Sequence, residues 1–267
     1  MTQQGVRPRK RFGQHFLHDP AVIERIAAAI APQSGEVLVE IGPGRGALTR
    51  RLLESDCGSL DAIEIDRDLA ALLREEWRGE PRLTLHSADA LRFDFRALAR
   101  ERGQSIRVVG NLPYNISTPL LFHLLESVGE IRDLHVMLQR EVIARMAAQP
   151  GEHAYGRLTV MLSPWVEVER LFDVGPGAFQ PPPKVWSAVA RLTVRTGPAF
   201  PLSPAFPTVV AAAFAHRRKT LRNALRGIAT AEQIESCGVD PATRPETVSP
   251  ALFNAIAHAV KLPPGAV

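Results

Sequence analysis

One stretch limits the folds open to this chain more than any other. The apolar run Glu36-Val37-Leu38-Val39-Glu40-Ile41 meets the turn Gly42-Pro43-Gly44-Arg45-Gly46, and Ala47-Leu48-Thr49-Arg50-Arg51-Leu52-Leu53 follows at helical spacing. A short apolar run closed by glycines reads as a buried strand, and the 3.6-residue period after it reads as a helix. The unit then recurs. A strand over 60–65 ends beside Asp66, before a helix carrying Leu69, Leu72 and Leu73. A strand over 83–86 leads into Ser87-Ala88-Asp89-Ala90, and one over 106–110 opens into Asn111-Leu112-Pro113-Tyr114-Asn115 with a helical pattern from Thr118. A fifth, over 133–138, precedes a helix near Arg140. Strands alternating with helices predict a mostly parallel sheet covered on both faces. Ligands bind such sheets outside the carboxyl ends of the strands.

The flanks are different. Asp19 is an N-cap with Pro20 at the first helical position, and Val22, Ile23, Ile26, Ala27 and Ile30 continue that helix. After residue 150 a helix is expected over 155–161, then strands over 166–174 and 185–194. No helix of ordinary length separates those two strands, so they are expected as an antiparallel pair at the sheet edge. Between them lies Gly175-Pro176-Gly177-Ala178-Phe179-Gln180-Pro181-Pro182-Pro183-Lys184. Residues 196–204 are rich in proline and glycine, and the domain boundary is placed there. The expectation is an α/β domain over 1–198, with residues 1–11 as a basic arm, and a small all-α domain over 199–267. The helical pieces of the latter are 206–214, 216–226, 231–236 and 250–260.

Composition narrows the class. A hydrophobic fraction of 45% with 22% charged residues supports a globular core. Cys57 and Cys237 are the only cysteines, far apart, so a disulfide framework is not expected and a reducing cytosol fits. The eight histidines lack metal-ligand spacing, and no metal site is inferred. No apolar run approaches the ~20 residues needed to span a bilayer, and the N-terminus has no signal-peptide pattern. A soluble cytoplasmic protein is expected. The net charge is only +4, but it clusters in Arg7-Pro8-Arg9-Lys10-Arg11 and in His216-Arg217-Arg218-Lys219, with Arg222 and Arg226 beyond. Two basic patches suit a polyanion, because phosphate contacts position a nucleic acid without reading its sequence.

The strand ends suggest two chemistries. The glycine turn lets a ligand approach the backbone. Glu64 can accept hydrogen bonds from ribose hydroxyls, and Asp89 from an adenine amino group. Glu40 is expected to orient the turn through backbone donors. The turn also fits Gly-x-Gly-x-x-Ala ending at Ala47, so a dinucleotide site stays open. The second chemistry belongs to Asn111-Leu112-Pro113-Tyr114. The amine of adenine is a poor nucleophile because its lone pair is delocalised into the ring. Asn111 Oδ1 and the carbonyl of Leu112 or Pro113 can hold both N–H groups and bias the nitrogen toward tetrahedral geometry. Pro113 fixes the backbone, and Tyr114 can stack on the base. The string resembles the Asn/Asp-Pro-Pro-Tyr/Phe motif of enzymes that methylate amino nitrogens.

Taken together, the motifs resemble one family over nearly the whole chain. These are Lys10-Arg11-Phe12-Gly13-Gln14-His15-Phe16-Leu17, Glu40 to Gly46, Glu64-Ile65-Asp66, Asp89-Ala90, Asn111 to Asn115, Phe179 to Val185 and Arg217-Arg218-Lys219-Thr220-Leu221. The chain is similar to the ribosomal RNA adenine N6,N6-dimethyltransferases of the small subunit. The resemblance implies a Rossmann-like class I methyltransferase domain, with a mostly parallel seven-stranded sheet, plus a helical C-terminal domain. It implies S-adenosylmethionine as donor. The implied acceptors are two adjacent adenosines in the 3′-terminal hairpin of 16S rRNA, within immature 30S subunits, and the implied enzyme is a monomer. By position, Gln14, His15, Leu17, Gly42, Gly44, Glu64, Ile65, Asp89, Ala90 and Asn111 would border the donor. Asn111, Leu112, Pro113, Tyr114 and Phe179 would handle the target base, with Tyr114 and Phe179 clamping it from two sides. Arg7, Arg9, Lys10, Arg11, Arg217, Arg218, Lys219 and Arg222 would contact RNA. The family often carries Asn where this chain has His15, and an imidazole brings its own protonation. Alternatives are a 23S rRNA adenine methyltransferase of the antibiotic-resistance type and a ribosome-assembly binding factor. A nicotinamide oxidoreductase gives Asn111 to Tyr114 no role.

Overall fold

A computed structural model describes residues 8, 9, 13–216 and 218–260. In chain order the elements are β1 (Phe16–Leu17), α1 (Pro20–Ile30), β2 (Val37–Ile41), α2 (Ala47–Leu53), β3 (Ser59–Glu64), α3 (Arg67–Glu76), β4 (Leu83–Ser87), α4 (Phe95–Arg102), β5 (Ile106–Asn111) and α5 (Ser117–Leu125). They continue with β6 (Ile131–Gln139), α6 (Arg140–Ala147), α7 (Arg157–Leu162), β7 (Val166–Val174), β8 (Phe179–Gln180), β9 (Ser187–Val194), α8 (Phe206–Ala215), α9 (Leu221–Ala224), α10 (Ala231–Ser236) and α11 (Pro250–Ala259). The chain forms two compact units, Met1–Ile143 with Val168–Val194, and Ala144–Glu167 with Arg195–Val267.

The first unit is built on a seven-stranded sheet of order β4-β3-β2-β5-β6-β9-β7. The strands β4, β3, β2, β5 and β6 pair in parallel, and β9 runs antiparallel to β6. This is the class I methyltransferase architecture expected from the sequence. All five residues of β2 are buried, as a central strand covered on both faces requires. Directly paired residues share a face, so the register Glu40↔Val109↔His135 sets two polar side chains on either side of a valine. On one face Leu38, Leu60, Val109, Met137 and Val189 pack with Ile26, Ile30 and Leu52. Asp19 caps α1 through the N–H groups of Ala21 and Val22. The far end of α1 is pinned by Arg107, which donates to Ile30 O at 2.7 Å and pairs with Glu36 and Asp133. A second, two-stranded sheet joins β1 to β8 in antiparallel register, with Leu17 opposite Phe179.

The second unit is helical. Its core joins Tyr155 and Val160 to Phe206, Val210, Leu221, Leu225, Ile234 and Phe253. Tyr155 donates its buried hydroxyl to Val248 O at 2.8 Å. Residues 144–167 therefore group with the C-terminal helices, although the expected boundary assigned them to the first domain. A second expectation is corrected too. The run 216–226 is not one helix: α8 stops at Ala215, and the Leu221 and Arg222 N–H groups go to Thr243 O and Pro241 O. Those long-range bonds start the short α9 afresh at Thr220.

Candidate active site

A cavity of about 270 Å³ opens at the carboxyl ends of β2, β3, β4 and β5, under the segment leading into β1. Its lining includes Gln14, His15, Leu17, Gly42, Gly44, Glu64, Ile65, Asp89, Ala90, Asn111, Leu112, Pro113 and Tyr114, so the expected donor and acceptor motifs meet in one place.

The donor side is set by the turn after β2. Gly44 has φ 59°, and a Cβ there would stand 3.0 Å from the Phe16 ring. Gly46 has φ 75°, and its Cβ would fall 2.2 Å from Trp77. Conformation and packing both demand glycine at these positions. The carboxylate that holds the turn is Glu64, not Glu40. Glu64 is buried, and it accepts the Gly44 N–H at 3.1 Å through Oε2 and the Asp66 N–H at 2.9 Å through Oε1. Burial raises its pKa against those two backbone donors. Glu40 instead accepts the Thr49 hydroxyl at 2.6 Å, tying β2 to α2. Burial pushes its carboxyl up to about 7, opposed by the Thr49 hydrogen bond and assisted by the nearby Glu64. Asp89 accepts the Leu91 N–H at 2.9 Å, which aims its carboxylate along the cavity wall. Ile65 is 46% exposed, an apolar side chain left open in this lining.

On the acceptor side, Asn111 donates through Nδ2 to His15 O at 3.0 Å, leaving Oδ1 as the acceptor branch of the amide. Of the two candidate carbonyls, Pro113 O already accepts the Ile116 N–H at 3.2 Å, so Leu112 O is the better second acceptor. The Tyr114 hydroxyl lies 2.5 Å from Ser187 Oγ, and burial raises its pKa. The Tyr114 ring stacks on His15, with centroids 5.7 Å apart. His15 Nδ1 donates to Pro181 O at 2.8 Å, binding the N-terminal segment to the proline loop.

Three expectations need correction or relocation. Phe179 is only 2% exposed and belongs to the core; it does not line the cavity opposite Tyr114. Packing in one buried cluster with Leu17, Met137 and Val189 takes up the ring, and the His18 N–H to Ala178 O bond of 3.0 Å holds the neighbouring backbone. Arg9 is committed to Asp66 and Asp68 rather than presented to solvent alone. Gln14 accepts the Arg9 N–H at 2.7 Å and donates to Asp66 at 3.2 Å, so its amide braces that ion pair at the cavity rim. Arg218, Lys219 and Arg222 are exposed. Arg7, Lys10, Arg11 and Arg217 lie outside the described residues.

One titratable lining residue escaped the sequence reading. His135 is buried at the cavity floor, with Nδ1 3.2 Å from Asp133 Oδ1 and Nε2 without a hydrogen-bond partner among the described residues. Its signal was Asp-x-His inside an apolar strand, where two polar residues share one face. Among the described residues, no group of three or more His, Cys, Asp or Glu side chains is arranged to hold a metal ion. No helix among them is long and apolar enough to cross a membrane.

The model of the family described as ribosomal RNA adenine dimethylase matches residues 5–261. The chain is 56% identical over 251 residues to ribosomal RNA small subunit methyltransferase A of Nitrosococcus oceani, covering 93% of this chain and 94% of that one. It is 52% identical over 261 residues to the protein of the same name in Pseudomonas aeruginosa, covering 97% of each. Among solved structures it is similar to the 23S rRNA methyltransferase ErmE, with TM-score 0.71, 27% identity, and coverage of 92% of this chain and 99% of that one. A dimethyladenosine transferase from Plasmodium falciparum shares the fold at TM-score 0.75 and 23% identity, over 91% of this chain and 96% of that one.

Proposed function

The chain belongs to the ribosomal RNA adenine dimethylase family, and on that premise we propose how its residues carry out the transfer. The reaction moves methyl groups from S-adenosylmethionine to N6 of two adjacent adenosines in the 3′-terminal hairpin of 16S rRNA. We further infer that the substrate is the immature 30S particle and that the enzyme works as a cytoplasmic monomer.

The cavity fits the donor. Ile65 offers an apolar surface to a purine ring, Asp89 an acceptor to its amine, and Glu64 an acceptor to ribose hydroxyls. The positive-φ turn at Gly42 and Gly44 brings backbone close to the amino-acid end, beside His15 and Leu17. When bound, S-adenosylmethionine supplies a methyl group on a cationic sulfur, which leaves as a neutral thioether.

The single observation that carries the acceptor reading is the orientation of Asn111. Its Nδ2 is taken by His15 O, so Oδ1 can accept one N–H of the adenine amine while Leu112 O accepts the other. Two acceptors bias N6 toward tetrahedral geometry, with its lone pair aimed at the methyl. Tyr114 stacks on the extruded base, and the Ser187 hydroxyl holds that ring in place. Positioning of this kind accounts for most of the rate in a displacement that needs no enzyme nucleophile. N6 gives up one proton to water for each methyl gained. The exposed Arg218, Lys219 and Arg222 of the helical unit take phosphates of the RNA.

A 23S target is the second reading, because ErmE shares 27% identity with this chain. The small-subunit relatives at 52 and 56% identity favour 16S rRNA. The test is to incubate the protein with labelled S-adenosylmethionine and a mixture of 30S particles lacking dimethyladenosine and unmodified 23S rRNA, then map the modified nucleotides. Label confined to 23S rRNA would overturn the 16S assignment.

A further inference from the structure

Among the described residues, the large apolar side chains that stand exposed are Ile65, Val185 and Trp186, at 46, 44 and 50%. Ile65 lines the cavity. The other two are consecutive, immediately before β9. A single exposed apolar residue needs no explanation. An indole half in water, beside a second apolar residue and held in place, does. The Trp186 carbonyl accepts the Arg140 N–H at 3.0 Å, fixing the backbone. The indole lies over Gly175, where an added Cβ would stand 3.6 Å from Cη2. The Arg140 guanidinium is 6.0 Å from the ring centroid, and Lys184 is exposed two residues upstream. Asp173, 3.8 Å from Arg140, offsets part of that charge. The residue after Trp186 is Ser187, the one bonded to Tyr114. The exposed indole is therefore one residue from the group that fixes the acceptor aromatic.

We propose that Trp186 is a stacking platform for an unpaired nucleobase of the RNA next to the adenosine being methylated, with Lys184 and Arg140 facing the phosphates beside it. This rests on the rRNA reading above. An exocyclic amine inside a helix is out of reach, so the target base must leave its stack. Its neighbours then lose a stacking partner, and an aromatic face supplies one whatever the base, since each has a π-face. An exposed indole flanked by cations is the arrangement that single-stranded nucleic acid selects. The platform holds the strand in register while the target enters the cavity.

The test uses the full-length protein, Trp186→Ala and Trp186→Phe. With 30S particles lacking dimethyladenosine, Trp186→Ala should raise KM about tenfold, the usual effect of losing one base stack. Trp186→Phe should recover most of that loss, and donor affinity should be the same in all three proteins. An RNA hairpin with an unpaired loop should quench indole emission in the unsubstituted protein, and that quenching should disappear in Trp186→Ala although Trp77 and Trp165 remain. An unchanged KM, or quenching that persists without Trp186, overturns the platform. If Trp186→Ala loses donor affinity, the quenching decides alone, and no quenching in the unsubstituted protein overturns the proposal. Failure of the rRNA reading looks different: the unsubstituted protein itself would leave 16S rRNA unlabelled.

Discussion

Asn111 Nδ2 and the carbonyl oxygen of His15 are 3.0 Å apart, so the end of β5 and the segment entering β1 orient each other. The bond decides which branch of the Asn111 amide faces the cavity. It also makes an N-terminal residue part of the acceptor geometry.

Asn111→Asp removes the only donor in that pair and sets a carboxylate against a carbonyl. Misplacement of about 1 Å in a positioned reaction costs about 100-fold. The single-turnover methylation rate should fall by at least that order, while the particles remain bound. A variant that transfers at the normal rate would remove Asn111 from the mechanism. A protein that binds immature particles and supports their maturation without transfer would favour the assembly-factor reading instead.

Glu40 makes stability depend on pH in an unusual direction. Its folded pKa is raised to about 7 from an ordinary 4.5, so as pH rises the unfolded chain loses this proton first. Below about 4.5 both states are protonated and the carboxyl costs nothing. Stability contributed by the neutral form is lost between about 4.5 and 7, and the loss approaches about 3 kcal/mol above that window. In Glu40→Gln the loss is absent. The difference in urea unfolding free energy between variant and parent should grow by that amount from pH 4 to pH 8. Parallel pH curves would contradict the burial account.

Phe179→Ala should cost about 3–5 kcal/mol, the range for emptying a buried phenylalanine site. It should also weaken donor binding, because β8 holds Leu17 against the cavity. Thermal denaturation and donor titration measure both. Slower transfer with unchanged stability and donor affinity would restore a clamp role.

Removing Arg218, Lys219 or Arg222 should weaken RNA binding and reduce the dependence of log K on log salt by about one for each phosphate left without its cation. Arg9→Ala should leave that slope unchanged, because the Arg9 guanidinium is paired with Asp66 and Asp68. Salt titrations of particle binding distinguish the two groups.

Much of this molecule was readable from the chain. Val37 to Ile41 and the glycines after them specify a strand, a positive-φ turn and a helix by local rules, and the structure has all three. Asp19 caps its helix with Pro20 at the first helical position, as the local pattern predicts. The basic run after Ala215 misled, because helical spacing of Leu221 and Leu225 says nothing of the bonds to Pro241 O and Thr243 O that interrupt it.

The sequence by itself determined the element types, the strand ends that carry chemistry, and the family through the order of its motifs. Those depend on residues near one another in the chain. Tertiary structure alone decided which carboxylate holds the glycine turn, that His135 lies at the cavity floor, that Arg9 is neutralised, and that Phe179 turns inward while Trp186 stays in water. Each follows from contacts between residues tens of positions apart, where register and burial, which local pattern does not encode, choose the partner.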